Sequence, residues 1–154
     1  MEKIEVRLGY DELDAVRELI EEYVDALHVD LAFQHYEEEL QDLTEKYALP
    51  LGRLYTIHVD GKAAGCLAFH PLTEKMCEFK RLYVRPAFRG RRLAWRLMGQ
   101  ALEDARKIGY QQVCLDTLAS LKSAVALYEQ LGFQQVSAYY ENPLPGVRYY
   151  RRAL

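Results

Sequence analysis

The spacing of apolar residues changes abruptly in the middle of this chain. From Met76 to Val84 a mostly apolar run is typical of a buried strand, and Pro86 closes it. After an arginine-glycine loop, apolar residues recur every third or fourth position at Ala94, Leu97, Met98, Ala101, Leu102, Ala105 and Ile108. This spacing predicts a helix, and the first turn of a helix presents unpaired N–H groups at the positive end of its dipole. The pattern from Met76 to Ile108 therefore predicts a strand, a loop and a helix whose first turn can bind an anion.

The same patterns predict the remaining elements. Strands are expected at residues 4–8, 54–59, 63–70, 113–116, from 133 and at 147–151, and helices at residues 13–27, 33–47 and 124–131. Asp60-Gly61 suits a type I′ turn because both turn positions need positive φ. Asp11 and Ser120 are candidate N-caps of the first and last helices. We expect a mixed α/β sheet with about four helices, in one domain spanning residues 1–154.

Charge and composition narrow the class of protein. The net charge is −3, and the basic residues concentrate in one region at Lys80, Arg81, Arg85, Arg89, Arg91, Arg92 and Arg96. A solvated basic face or a weak nucleic-acid patch is the alternative to a phosphate site there, and we expect no nucleic-acid partner. The three cysteines lie in apolar runs and are expected to be buried, reduced thiols. The N-terminus resembles no signal peptide and no apolar run is long enough to cross a bilayer, so we expect a cytoplasmic protein without membrane contact.

Three motifs in order resemble the GNAT superfamily of N-acetyltransferases. They are Leu82-Tyr83-Val84-Arg85-Pro86, Arg89-Gly90-Arg91-Arg92-Leu93-Ala94, and Ala124-Val125-Ala126-Leu127-Tyr128-Glu129-Gln130-Leu131-Gly132-Phe133. The resemblance implies a mostly antiparallel central sheet of about six to seven strands, flanked by about four helices and splayed at the acyl-CoA site. It also implies acetyl-CoA as co-substrate and no metal.

The resemblance assigns a set of cofactor-binding residues. They are Leu82, Tyr83, Val84, Arg89, Gly90, Arg91, Arg92, Leu93 and Ala94. The family's acyl-pantetheine arm pairs with backbone at positions matching Leu82 and Val84. The family's usual glycine is replaced by Arg92, which we expect to keep helical φ and ψ with its side chain outward. An asparagine usual in the family is replaced by Leu121.

Tyr128 and Glu78 are the catalytic candidates. In the resembling family a tyrosine at the position of Tyr128 protonates the departing CoA sulfur, whereas spacing alone favours core packing with the hydroxyl hydrogen-bonded to backbone. Glu78 lies where several family members carry a base, and it would act through water, through a raised pKa, or only by orienting the amine. A surface salt bridge of Glu78 with Lys80 or Arg81 is the alternative. An even offset places Glu78 and Leu82 on one face of a regular strand, unless a bulge separates them.

The acceptor site is expected in the loop before the last strand. The resemblance implies that Tyr139, Tyr140, Glu141 and Asn142 line an amine site, and a rigid turn packed by aromatic rings is the alternative. The four histidines show no metal-ligand spacing and are expected at the solvent edge.

These observations lead to one main hypothesis and one alternative. The main hypothesis is transfer of acetyl from acetyl-CoA to a primary amine by direct attack in a ternary complex. The acceptor is expected to be a small, amino-acid-like molecule, or else a peptide, and homodimer formation is left open. The alternative is a catalytically idle CoA-binding module for regulation or interaction, which the replacements at Arg92 and Leu121 would allow.

Overall fold

The computed structural model describes residues 1–31 and 35–154, and this part contains one sheet and five α-helices. The strands are β1 (Ile4–Leu8), β2 (Arg53–Val59), β3 (Lys62–Pro71), β4 (Met76–Val84), β5 (Gln112–Leu118), β6 (Gln134–Val136) and β7 (Val147–Ala153). The helices are α1 (Leu13–Leu27), α2 (Tyr36–Gln41), α3 (Leu43–Lys46), α4 (Leu93–Ile108) and α5 (Lys122–Gln130). The sheet order is β1-β2-β3-β4-β5-β7-β6, antiparallel except between β4 and β5. The predicted fold class is therefore confirmed.

The β2–β3 hairpin turns at the predicted dipeptide. Asp60 has φ 49° and Gly61 has φ 81°, the two positive values that a type I′ turn requires. The three cysteines are buried free thiols, as expected from their apolar surroundings.

The central strands β4 and β5 separate along their length. Their parallel pairing covers only residues 76–78 of β4 with 112–114 of β5. Beyond Glu78 and Cys114 each strand continues without the other, so an opening forms between them. This is the predicted splay, and it leaves backbone groups of β4 available for a ligand.

A bulge interrupts β4 just before the opening. Arg81 adopts φ 67°, and the pairing with β3 shifts there by one residue. Before the bulge, the side chains of Cys77 and Phe79 belong to the core beneath α4, so by alternation Glu78 faces the opposite side. After it, Leu82 packs against the α4 side. The bulge therefore places Glu78 and Leu82 on opposite faces, unlike in a regular strand.

The helices cover both faces of the sheet. One core joins α1 and α3 to one face, and its fully buried side chains include Leu19, Ile20, Leu43 and Tyr47. The larger core joins α4 and α5 to the other face, around Phe69, Leu97, Met98 and Tyr150. No helix in the described ranges is long and apolar enough to cross a membrane.

Three predicted helix features differ in the structure. The second predicted helix is divided at Asp42, whose carboxylate accepts the N–H of Glu45 and thereby begins α3. Phe33, assigned to that helix, lies outside the described residues. Asp11 does not cap α1, because Glu12 takes the N-cap position. Ser120 does not cap α5 either, since Leu121 takes that position without a side-chain bond.

Candidate active site

A groove runs from the splayed end of β4 to the first turns of α4 and α5. Eight of the nine predicted cofactor residues line it: Leu82, Tyr83, Val84, Arg89, Gly90, Arg92, Leu93 and Ala94. The start of α5 forms the opposite wall, including Leu121, Ser123 and Leu127. The side chain of Arg91 instead forms an ion pair with Glu2, 2.9 Å between Nε and Oε1. The start of α4 opens onto this groove, and the first turn of a helix presents unpaired N–H groups of the kind that bind anions.

The backbone conformation of Arg92 differs from the one expected from the sequence. It has φ 58° and ψ 33°, the left-handed conformation that glycine adopts readily, rather than right-handed helical angles. Its guanidinium lies over the Trp95 ring, 4.8 Å from the ring centroid. The loop thus keeps a conformation suited to the family's glycine while adding a cation to the groove wall.

A second pocket adjoins the groove on the other side of Leu82. Tyr23, Leu27 and Leu82 line both cavities, so the two are adjacent. The polar residues lining the pocket are Lys80, Arg81, Asp116, Thr117, Tyr128 and Asn142. A molecule in the pocket would therefore lie next to Leu82, which the family resemblance assigns to the acyl-pantetheine arm.

Tyr128 lies on α5 with its side chain in this pocket. Its ring packs against Phe133 and Tyr150, with centroids 5.9 Å and 6.3 Å apart. Among residues 1–31 and 35–154 no group hydrogen-bonds its hydroxyl, in contrast to the packing alternative with a backbone bond. Burial raises the pKa of Tyr128 well above its usual value near 10. The phenol is therefore protonated at neutral pH, as an ordinary tyrosine also is, although the raised pKa makes it a weaker acid.

Glu78 is buried, not part of a surface salt bridge. It is 5% exposed, and its carboxylate accepts hydrogen bonds from His70 Nε2 at 2.8 Å and from the Tyr139 hydroxyl. Burial alone would raise the pKa of Glu78, but the bond with His70, the Lys80 charge and the Tyr139 bond outweigh it and lower the pKa to about 2. A raised pKa, one of the three ways in which Glu78 was expected to act, is therefore wrong.

The loop before β7 approaches the pocket through hydrogen bonds to two carboxylates. Tyr139 donates to Glu78, whereas Tyr140 and Asn142 donate to Asp116. Asn142 lines the pocket, but Glu141 is exposed and is not among the described lining residues. The tyrosine rings also contact one another and Tyr149, as the packed-turn alternative predicted. The loop thus fixes Asp116, which lines the pocket, and Glu78, which like Tyr139 and Tyr140 is not among the described lining residues.

Two features of this site were missed by the sequence analysis. Asp116 had been identified only as the end of a strand. Arg81 forms a buried bidentate ion pair with Glu39 of α2, at 2.9 Å and 3.0 Å. Tyr47 and Lys46 also donate to Glu39, each at 2.9 Å. Arg81 is far from Glu39 in sequence, as Tyr140 is from Asp116, and no local pattern brings these residues together.

The structure also shows where His58 lies and whether side chains are grouped as metal ligands. His58 is 3% exposed and bonds Glu12 at 2.8 Å, so its expected position at the solvent edge is wrong. Its burial follows from the register of β2, whose residues from Leu54 to Val59 are all buried. Within the described ranges no group of three or more His, Cys, Asp or Glu side chains is arranged to hold a metal ion.

Comparison with known proteins identifies the family. The model of the Acetyltransferase (GNAT) family matches residues 14–133. An uncharacterized N-acetyltransferase of Schizosaccharomyces pombe is 40% identical over 148 residues, covering 95% of this chain and 90% of the relative. The chain belongs to the GNAT family, and it is an acetyltransferase.

Two further similar proteins are one named for an acetylated product and one whose structure contains coenzyme A. Human N-acetylaspartate synthetase is 34% identical over 134 residues, which cover 85% of this chain and 41% of that protein. The structure of the PaiA N-acetyltransferase of Thermoplasma acidophilum, in complex with coenzyme A, has a TM-score of 0.75 at 15% identity. The match covers 99% of each chain. That structure shares the fold of this chain.

Proposed function

We propose that this domain, residues 1–154, transfers the acetyl group of acetyl-CoA to the primary amine of a small, amino-acid-like molecule by direct attack. The observation that carries the proposal is that the groove and the pocket adjoin at Leu82, which lines both. A thioester held along β4 and an amine held in the pocket would meet at that residue. Proximity of this kind is a large part of catalysis in a ternary complex.

The residues around the pocket supply the proton transfers that the reaction needs. The ammonium must lose a proton before it attacks, and the departing thiolate must gain one. Tyr128 is proposed as the acid because its hydroxyl is protonated and without a competing partner in the described chain. Glu78 remains ionised, but its lowered pKa makes it a weak base, so it is proposed to orient the amine site while water takes the amine proton. It also holds Tyr139 in place.

The relatives support the amine-acetylating chemistry. The name of the Schizosaccharomyces pombe relative states N-acetyltransferase, and the name of the human relative states an acetylated amino acid as product. The alternative of an idle module was motivated by Arg92 and Leu121. Arg92 adopts the backbone conformation of the glycine that it replaces, so this replacement leaves the helix start intact.

The test combines CoA release with a single substitution. Wild-type protein is assayed for CoA release from acetyl-CoA against amines, amino acids and short peptides. Tyr128→Phe should reduce kcat by about 10²-fold or more, the usual contribution of a general acid, with acetyl-CoA affinity kept within about twofold by calorimetry. The matched control is Tyr110→Phe, because Tyr110 is buried but its hydroxyl donates to Leu51 O, away from the groove.

The outcomes separate the hypotheses. Unchanged turnover in Tyr128→Phe would remove Tyr128 as the acid. Acetyl-CoA binding without CoA release for any acceptor would support the idle module. Mass spectrometry of protein mixed with acetyl-CoA alone should show no acetylated enzyme, since direct attack involves no covalent intermediate.

A further inference from the structure

The acceptor pocket contains a buried ammonium group without a hydrogen bond. The side chain of Lys80 is 6% exposed and lines the pocket. Its nearest acidic oxygen among the described residues is Glu78 Oε1, 3.8 Å from Nζ and beyond hydrogen-bond distance. Both oxygens of Glu78 already accept bonds from His70 and Tyr139. Burying an ammonium group without hydrogen bonds costs free energy, and binding of an anion to the group offsets that cost.

The same pocket contains a carboxylate with one oxygen unused. Both hydrogen bonds described for Asp116, from Tyr140 and from Asn142, end on Oδ2. In the described chain no hydrogen bond reaches Oδ1. The loop before β7 therefore fixes Asp116 through one oxygen and leaves the other for a ligand.

The strand register places these two groups at equivalent positions. Glu78 and Cys114 are the last paired residues of β4 and β5, and Lys80 and Asp116 each lie two residues further along. Because side chains alternate along a strand, both project from the same face of the sheet, at the beginning of the opening. The opening thus has a cation on one strand and an anion on the other.

The other cation of the pocket is already neutralised. Arg81 is the only further basic residue among the described lining residues, and Glu39 pairs with it bidentately. Lys80 is therefore the charge available to an acceptor. Its chemistry selects a carboxylate, and that of Asp116 selects an ammonium.

Building on the proposed function, we propose that the acceptor is a free α-amino acid whose carboxylate binds Lys80 and whose ammonium binds Asp116. The ammonium loses one proton to solvent, and the amine then attacks the thioester carbonyl. The C–S bond breaks, the nitrogen gives its second proton to water, the thiolate takes a proton from Tyr128, and the Tyr128 phenolate is reprotonated from solvent. The products are the N-acetyl amino acid and CoA. A peptide N-terminus is a poorer acceptor, because an amide replaces the α-carboxylate that Lys80 would bind.

The test compares matched acceptors that differ only at the carboxylate. CoA release is measured with the twenty amino acids, with the α-amides of those accepted, and with the corresponding decarboxylated amines. Wild-type protein should prefer the acid over its amide by about 10- to 100-fold in kcat/KM, the value of a hydrogen bond between charged groups. Lys80→Met should remove that preference, mainly through KM for the acid, so that the acid and its amide react with similar kcat/KM. The control is Lys75→Met, because Lys75 is exposed in the β3–β4 turn.

A binding measurement accompanies the kinetics. Calorimetric titration of the accepted amino acid into CoA-saturated wild-type protein should give binding that Lys80→Met weakens by the same factor. An equal rate with acid and amide on wild-type protein would overturn the inference and leave the acetyltransferase proposal standing. This comparison needs no variant, so it holds even if Lys80→Met does not fold. An unchanged acid preference in a folded Lys80→Met would overturn the role of Lys80. Failure of every amine to release CoA would overturn the proposed function itself.

Discussion

Neutralising Glu39 should be among the most destabilising single changes in this protein. The carboxylate has a side-chain exposure of 1% and receives bonds from Arg81, Tyr47 and Lys46. Glu39→Gln removes the charge with little change of shape and leaves the Arg81 guanidinium, itself 5% exposed, without a counterion. Breaking a buried pair in this way costs about 3–5 kcal/mol of unfolding free energy.

The pKa of Glu39 gives an independent estimate and a pH dependence. Burial opposes ionisation, but the hydrogen bond and charge of Arg81, with the charge of Lys46, lower the pKa from 4.5 to about 2. At about 1.36 kcal/mol per unit this is a stabilisation on the order of 3 kcal/mol. Because the folded-state pKa is the lower one, the stabilisation is complete above pH 4.5 and is lost as pH falls towards 2. About 2 kcal/mol should remain at pH 3.5.

The assay is urea unfolding of wild type and Glu39→Gln, followed by circular dichroism between pH 7 and pH 3.5. Other carboxylates titrate equally in both proteins, so the difference between them isolates Glu39. That difference should shrink by about 1 kcal/mol over this range. The control Glu38→Gln, exposed on the same helix, should change stability by less than about 0.5 kcal/mol.

Two results would refute this reasoning. One is a cost of Glu39→Gln below about 1 kcal/mol at pH 7, which would show that the pair contributes little. The other is a difference from wild type that does not vary with pH. The double variant with Arg81→Met should recover much of the loss, because removing both charges leaves no unpaired buried ion.

Two further predictions concern the groove. Gly65→Ala should cost about 1–3 kcal/mol and weaken acetyl-CoA binding in calorimetry, because its Cβ would lie 2.5 Å from the carbonyl oxygen of Tyr83. Gly99→Ala, on the exposed side of α4 with no atom within 4 Å, is the control and should stabilise the protein; equal effects would contradict the predicted clash. Arg92→Gly should keep stability within about 1 kcal/mol, because relief of the left-handed conformation offsets the lost stacking on Trp95. Its dissociation constant for acetyl-CoA should rise about tenfold, and an unchanged constant would show that only backbone N–H groups bind the phosphates.

The sequence predicted the elements that depend on local patterns. Strand β4 has the predicted limits, and the Asp60-Gly61 turn has the predicted dihedral angles. Both depend on neighbouring residues alone, through alternation and through the tolerance of positive φ. Five of the six residues from Arg89 to Ala94 likewise line one groove, because they form one continuous loop and helix start; that they bind the cofactor stays a prediction.

What the sequence did not predict depends on contacts between distant residues. Glu39 pairs with Arg81 across 42 positions, and Tyr140 reaches Asp116 across 24. Neither pairing has a periodic signal. The helix limits at Asp42 and Leu121 were also missed, because the apolar spacing continues across Asp42 and Leu121 has no capping side chain to mark the start of α5. The prediction for the backbone of Arg92 was wrong for a related reason, since the loop geometry overrides the preference of a non-glycine residue for φ below zero.

The bulge in β4 explains why two adjacent basic residues have different roles. In a regular strand Lys80 and Arg81 would face opposite sides of the sheet. The positive φ of Arg81 lets its guanidinium reach Glu39 on α2, while it still lines the pocket beside Lys80. One cation is thereby neutralised, and the other remains without a hydrogen bond in the described chain. The same bulge turns Leu82 toward the groove, so a single backbone irregularity both positions Leu82 and lets Arg81 pair with Glu39.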